Sequence, residues 1–391
     1  MAFSRIAPFR FHVTRRVKNN VIQSSSTSLY LRPSSTTLYL DTKNRRQMTS
    51  NRGMNALQYN NPTANDIQIV QDMLYRIRQC NQVPIDVKRN LLDFVVDGEK
   101  VGKVTEKVAS LLCNSTPSGK DSVFQVVNAN DYATVATTKA TTTETVLTLT
   151  NEAGDTLEKK TNSVMSVMEN LRNKGIITGW RDELYPLSNG FYNDPVLLVE
   201  RAATPFLGMQ QYGVHINGFV VNQDGEEQMW IARRSKTKSK YPGMLDHIVA
   251  GGQPAGLSLL ENVVKECAEE AGIPEDLTLA GIQAAGAVSY EEFVPSKCDE
   301  FDGVIDRVLL FNYDLYLPND FQPKVVDGEV EEFFKWSVDE ILESMNKEYE
   351  DPIKPNCYLC IIDYLLRRGF LSPEIPGYLE VLRELRGGYC G

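Results

Sequence analysis

Apolar positions recur at helical spacing between Asp66 and Cys80, where Ile67, Val70, Met73, Leu74 and Ile77 share one stripe and predict an amphipathic helix. The pattern then shortens. Leu91–Val96 and Lys100–Val104 flank Asp97-Gly98, which reads as a hairpin with a tight turn. Val123–Val127 and Thr145–Thr150 are rich in β-branched residues and predict strands, with a Thr-rich loop or insertion at Thr134–Thr143 between them. Ser163–Lys174 returns to helical spacing and stops at Gly175. Further on, Tyr212–Val221 and Gln228–Arg233 predict two strands joined by a turn around Asp224-Gly225, and Ala284–Tyr290 and Arg307–Leu315 predict two more. Asp327–Trp336 is a loop turning into a strand, and Val338–Met345 and Cys357–Arg368 are closing helices.

One helix stands apart from this alternation. Ser258 is a good N-cap, Glu261 completes a capping box, and Gly272 followed by Pro274 ends the helix. Leu260, Val264, Cys267 and Ala271 form its expected core stripe. Glu266, Glu269 and Glu270 share a different face, with no basic residue interleaved among them. An acidic helix face is usually plain solvated surface. Here Gly251-Gly252-Gln253-Pro254-Ala255-Gly256 leads directly into it, and a glycine pair lets backbone pass close to a ligand. Three crowded carboxylates beside such a loop suit a divalent cation. Mg²⁺, with Mn²⁺ as an alternative, takes hard oxygen ligands and keeps positions open for water and phosphate.

Composition narrows the function classes. The 391 residues carry 41 basic and 51 acidic side chains, a net charge of −10. Residues 1–52 hold ten of the basic and one of the acidic, leaving 31 and 50 for the rest, a net −19. So acidic a body does not suit unassisted nucleic-acid binding, and an anionic substrate needs metal ions or a local basic cluster. No apolar run reaches the roughly 20 residues of a membrane span. Seven cysteines without paired-motif spacing point to a reducing compartment, and Cys357 and Cys360 read as core thiols on a helix. Residues 1–58, basic and rich in Ser and Thr, read as a transit segment for the mitochondrion or plastid, with a disordered tail on a cytoplasmic protein as the alternative.

Other candidate residues cluster around the loop in sequence. Arg233 and Arg234, followed by Lys236, Lys238 and Lys240, form the dense basic run of the body and could bind phosphate. Trp180, Arg181 and Tyr185 could form a platform for a ring and a phosphate, or lock an inter-domain junction, which the residues alone favour. Glu329 and Glu331, at the start of a strand, are candidates for a general base, with a surface strand end as the alternative. His215 reads as a packed, hydrogen-bonded core residue.

The stretch Gly251–Gly272 resembles the Nudix box, with Lys265, Glu266, Cys267, Glu269, Glu270, Gly272 and Ile273 in its C-terminal half. The N-terminal half departs from it. The loop is one residue short between Gly252 and Lys265, the first Glu of the box has no counterpart at Leu257 or Ser258, and Lys265 replaces Arg. That first Glu normally braces the loop. With Gly179–Pro186, Tyr212–Gly218, Met229–Ser235, Tyr241–Gly252, Tyr313–Pro318 and Asp327–Phe333, the chain resembles a eukaryotic Nudix subfamily. Its members carry an N-terminal domain of unknown function, and in some fungi are fused to thiamine pyrophosphokinase; no kinase domain is expected after Gly391. The resemblance implies a Nudix α/β/α sandwich with a mixed sheet over 207–391, preceded by a smaller α+β domain over 62–206. It also implies a Mg²⁺-dependent pyrophosphohydrolase trimming a small-molecule diphosphate, thiamine diphosphate or an oxidised analogue, to the monophosphate. Glu266, Glu269 and Glu270 would hold metal. Glu269, Glu329 or Glu331 would take the proton. Arg233, Arg234, Gly251, Gly252, Trp180 and Arg181 would bind substrate. The alternatives are a nucleoside diphosphatase of the 8-oxo-dGDP or ADP-ribose type and a non-catalytic ligand sensor with the same fold. The residues leave the oligomeric state open.

Overall fold

The computed structural model describes residues 61–129, 145–238 and 240–388, which lie within one compact unit, Tyr59–Gly391. The transit-like segment 1–58 and the Thr-rich stretch 134–143 fall outside the described residues.

The chain opens with α1 (Ala64–Arg78), which closes a capping box between Thr63 and Asp66, and a short α2 (Ile85–Arg89). β1 (Leu92–Val96) and β2 (Glu99–Val104) form the expected hairpin. Asp97 (φ 52°) and Gly98 (φ 84°) both take the left-handed conformation that a two-residue hairpin turn needs. After α3 (Glu106–Cys113), strands β3 (Phe124–Asn128) and β4 (Thr145–Leu149) complete a four-stranded sheet in the order β2-β1-β4-β3, with β1 and β4 parallel. Helix α4 (Leu157–Asn173) starts six residues before the expected Ser163. Its first turn is polar in sequence, yet Lys160 is 5% exposed and pairs with Asp97, so a buried charge hides the stripe from the apolar pattern. The short pair β5 (Leu184–Leu187) and β6 (Leu197–Glu200), followed by a 3-10 segment at Arg201–Leu207, closes this region over its own core of Phe94, Leu112, Phe124, Leu147, Met168 and Leu171.

The second region is a mixed seven-stranded sheet. β7 (Gln210–Val221), β8 (Glu227–Arg234), β9 (Leu245–His247), β10 (Val249–Gly252), β11 (Ile282–Pro295), β12 (Gly303–Tyr316) and β13 (Val330–Ser337) run in the order β11-β12-β7-β8-β13, with β10 on β7 and β9 on β8. The β7–β12 pair is parallel and the others antiparallel. β11 and β12 outrun their expected bounds; where the added part begins Arg307 Nε donates to Glu291 across the ladder at 3.0 Å, and beyond it Phe293 and Val294 face Ile305 and Val304. One face of the sheet is covered by α5 (Leu259–Ala271), next to the short α6 (Glu275–Gly281). The other is covered by α7 (Val338–Ser344), α8 (Pro355–Arg367) and α9 (Tyr378–Glu384), with α1 packed against α8 and α9. The result is an α/β/α sandwich with a mixed sheet, preceded by an α+β region. Among the described residues, no helix is long and apolar enough to cross a membrane.

Cys357 and Cys360 are buried free thiols on α8, as the helical spacing predicts. His215 is a buried, hydrogen-bonded core residue, its Nδ1 3.0 Å from Nδ1 of His247. The connection into the second sheet turns at Gly208, where φ is +54° and a Cβ would overlap the Lys103 backbone. Gly225 has a similar φ of +83° but stands in open space. Gly225→Ala is therefore expected to cost only the left-handed penalty, about 1–2 kcal/mol. Gly208→Ala adds a backbone clash and is expected to cost about 4 kcal/mol or more, or to prevent folding. Denaturant unfolding of the two variants measures the difference; equal losses would contradict the close packing at Gly208.

Candidate active site

α5 is capped as its sequence predicts. The Ser258 hydroxyl accepts from the Glu261 amide at 3.3 Å, Glu261 accepts from the Ser258 amide at 2.8 Å, and Gly272 closes the helix at φ 61°. The core stripe is shifted by one residue from the expected one. Val263, Cys267 and Ala271 are fully buried, Val264 is half-buried, and Leu260 is 46% exposed. The rotation follows from Asn262, a buried polar residue on the same face. Its Nδ2 donates to the Gly252 carbonyl at 2.8 Å and to Gln253 Oε1 at 3.1 Å. Gln253 in turn donates to the Leu257 carbonyl at 2.7 Å, and its amide donates to the Tyr212 carbonyl at 2.9 Å. These bonds brace the loop where the box's first Glu is missing.

The same rotation turns Glu266 and Glu270 towards β10. Glu270 Oε2 accepts from the Ala250 amide at 2.9 Å, and Glu266 fills the space a side chain on Gly251 would need. Burial pushes the Glu270 carboxyl up to about 8, and Glu266, Asp246 and Glu329 add to the shift. Burial also raises Glu266, against the pull of Lys265 and Arg201. Glu269 is farther out, 52% exposed. Contrary to the sequence reading, a cation does lie among the three: Lys265 Nζ is 3.1 Å from Glu266 and 2.7 Å from Glu269. It is exposed enough to swing away and leaves Glu270 without a salt bridge among the described residues. Two half-buried carboxylates and an outer one are hard oxygen donors, the chemistry a divalent cation takes.

The remaining sequence candidates divide. Glu329 closes on the site from the start of β13. Its carboxylate pairs with Lys238, and its charge acts on Glu270. Burial would raise Glu329, but Lys238, Arg181 and Arg201 outweigh it and hold the carboxylate ionised. Glu331 is exposed and accepts from the Lys236 amide at 3.0 Å. Arg233 forms a bidentate pair with Asp351 at 2.8 and 2.7 Å. Arg234 is held at 2.5 Å by the buried Asp246 and donates to the carbonyls of Tyr241 and Lys240. Both guanidinium groups are thus engaged within the protein. Trp180 stacks under Arg172 and donates to Asp182 at 2.9 Å, while Arg181 lies exposed within electrostatic range of Glu329.

Two further residues meet the loop: Tyr185, which the sequence groups with Trp180 and Arg181, and Arg201, which it does not single out for a role. A Cβ on Gly252 would overlap the Tyr185 hydroxyl and lie 3.3 Å from the Arg201 guanidinium carbon. Both come from the β5–β6 pair and the segment after it. β5 also meets the loop directly, since the Ala255 amide donates to the Leu184 carbonyl at 3.1 Å. Glu200, 1% exposed, ties this corner together by accepting from the amides of Arg181, Glu183 and Ala202. An Arg-Ala-Ala run after a short apolar strand gives no local signal of such a role.

Glu270 yields a pH prediction. Its folded value lies above the ordinary 4.5, so the folded chain keeps this proton between about pH 4.5 and 8 while the unfolded chain does not. Stability from this group therefore falls as pH rises through that window. Metal-free Glu270→Gln is expected to melt about 2–6 °C above the parent at pH 8 and level with it at pH 4.5. Parallel melting curves at both pH values check it; no gain at pH 8 would show that the carboxyl is not strained.

Family models match two adjoining stretches: DUF4743, a domain of unknown function, at residues 72–211, and the NUDIX domain at residues 211–357. Similar curated proteins include Nudix hydrolase 24, chloroplastic, of Arabidopsis thaliana, 45% identical over 236 residues that make up 60% of this chain and 62% of the relative. Nudix hydrolase 20, chloroplastic, of the same plant is 47% identical over 60% of this chain and 59% of the relative. An uncharacterized protein of Saccharomyces cerevisiae is 39% identical over 54% of this chain and 61% of the relative. The matches span about three fifths of the length of each relative. The chain thus matches the NUDIX domain model over residues 211–357, directly after its match to DUF4743 over residues 72–211.

Proposed function

We propose that this protein is a divalent-metal-dependent diphosphate hydrolase, and that its substrate is a small organic diphosphate of the thiamine diphosphate type, including oxidised analogues. The observation that carries the reading is the convergence of Glu266 and Glu270 on the backbone of Ala250 and Gly251. A strained, half-buried carboxylate pair without a buried cation is costly unless a ligand completes it. The Nudix hydrolase names of the two plant relatives support the same class.

Glu266, Glu269 and Glu270 would hold the metal, Mg²⁺ or Mn²⁺. When bound, the cation supplies positive charge against the diphosphate oxygens and makes water more acidic. The residues of the chain do the rest. Gly251 and Gly252 let Glu266, Tyr185 and Arg201 close on the backbone beside the diphosphate. Lys238 keeps Glu329 ionised, so Glu329 can accept the proton of the attacking water, with Glu269 as the second candidate. Attack at the terminal phosphorus forms one P–O bond and breaks the bridging one, releasing phosphate and the organic monophosphate.

The organic half has a surface to rest on. Phe191 lies 4.9 Å from both Tyr212 and Phe311, ring centre to ring centre, and Tyr212 adjoins Gly213, the register partner of Gly252. Such an aromatic group takes a flat heterocycle. An organellar setting fits the basic, Ser- and Thr-rich segment 1–58 and the chloroplastic names of the plant relatives.

Phosphate release with Mg²⁺ from thiamine diphosphate, oxythiamine diphosphate, ADP-ribose and 8-oxo-dGDP tests the proposal. The thiamine compounds are expected to turn over, and Glu270→Gln to lose on the order of 10²–10³-fold in kcat with its fold intact. Turnover of nucleotides alone would overturn the substrate, and full activity of the variant would overturn the metal site.

A further inference from the structure

We propose that the diphosphate site is bipartite: Arg201 and Tyr185, both from the DUF4743 region, bind phosphate oxygens of the substrate held beside the glycine pair. The inference rests on the diphosphatase reading and extends it to residues outside the NUDIX domain.

Three observations carry it. The Tyr185 hydroxyl is buried, with the residue 3% exposed, and has no hydrogen-bond partner among the described residues. An orphaned buried hydroxyl is costly, and burial at a ligand site is a common reason for one. This hydroxyl touches the position a Cβ on Gly252 would occupy, one residue from where Glu266 fills the equivalent space at Gly251. Second, the Arg201 guanidinium lies against the same glycine, 5.7 Å from the Tyr185 ring centre. Glu183 engages its Nη1 at 3.0 Å, and the side chain is 44% exposed, which leaves the rest of the donor fork open to an anion. Third, the scaffold fixes both residues. Arg201 donates its amide to the Glu183 carbonyl at 2.9 Å, Tyr185 pairs with Val199 across β5–β6, and buried Glu200 accepts from three amides of this corner. Anchoring of this kind holds side chains to a set geometry rather than leaving them as mobile surface.

Electrostatics points the same way. Arg201 acts on both Glu266 and Glu329, of which Glu266 lies against Gly251. A lone carboxylate cluster with its metal still repels a diphosphate unless cations neutralise the outer oxygens. The expected basic groups, Arg233 and Arg234, are engaged elsewhere. Arg201 stands at the glycine pair itself.

The test uses the full chain and reads binding separately from turnover. Arg201→Ala is expected to raise KM for the diphosphate, and to weaken binding of methylenediphosphonate in the presence of Ca²⁺, by on the order of 10–100-fold. Arg201→Lys should recover part of the loss, because a point charge replaces a fork. Tyr185→Phe should weaken methylenediphosphonate binding severalfold while holding or raising the melting temperature, since it removes an unpaired buried hydroxyl. Mn²⁺ affinity without diphosphate, followed by electron paramagnetic resonance, should stay within about twofold in all three variants. Loss of stability with unchanged diphosphonate affinity would overturn the inference and leave Arg201 as the partner of Glu183 alone. If the parent binds methylenediphosphonate but hydrolyses none of the tested substrates, the hydrolase reading fails while the binding comparison still decides the roles of Arg201 and Tyr185.

Discussion

The structure turns on one steric constraint: two glycines pressed between side chains from different parts of the chain. Gly251 lies under the Glu266 carboxylate, and Gly252 under the Tyr185 hydroxyl and Arg201. Neither position has room for a Cβ, so the backbone of β10 is brought to the surface of the acidic helix on one side and of β5 on the other. Four hydrogen bonds hold it there: Asn262 to Gly252, Gln253 to Leu257, the Gln253 amide to Tyr212, and the Ala255 amide to Leu184. The last of these joins the two family-matched stretches at the loop itself.

The opposite face of the sheet supplies rigidity by another route. His215 contacts His247, His247 contacts Asn217 at 3.0 Å, and Asn217 donates to Asp314 at 3.2 Å. Asp314 is paired by Arg367, which also holds Asp363. At the near end, Asp246 is bound by Arg234, Lys354 and the Cys357 thiol, and these cations hold its carboxylate well below the usual range despite burial. Both imidazoles are depressed by burial and remain neutral at physiological pH. A chain of satisfied polar groups between β7, β9, β12 and α8 fixes the relative register of these elements more narrowly than apolar packing would. Because β10 pairs with β7, this network indirectly sets the height of the glycine pair above α5.

Legibility followed periodicity. The helices at 64–78, 259–271 and 355–367, the 97–98 turn and most central strands are written in apolar spacing, caps and turn residues. Where a buried position is polar, the pattern misleads. Lys160 concealed the first turn of α4, and Asn262 rotated α5 so that Val263 took the place expected for Val264. The acidic cluster was legible because its three members sit within five residues. The basic run at 233–240 was legible too, but the fold uses Arg233 and Arg234 on Asp351 and Asp246, which lie far off or beyond a loop in sequence. Tyr185 and Arg201 precede the glycine loop by dozens of residues; the first sits in a four-residue strand too short for a periodic signal, and the second opens the 3-10 segment after another. Their relation to the loop exists only in the fold.

The charge balance explains why the two regions belong together. A body with a net −19 repels an anion at a distance, so an anionic ligand would depend on local cations rather than on the field of the whole protein. Lys238 is committed to Glu329 and Lys265 to Glu266 and Glu269. Within the NUDIX stretch the cations near the acidic helix therefore serve mainly to balance its carboxylates. Additional positive charge at the glycine pair comes from Arg201, with Arg181 within range of Glu329. Both precede residue 211, in the region that Glu200 anchors. A glycine pair flanked by a carboxylate from one matched stretch and an arginine from the other needs both stretches in place.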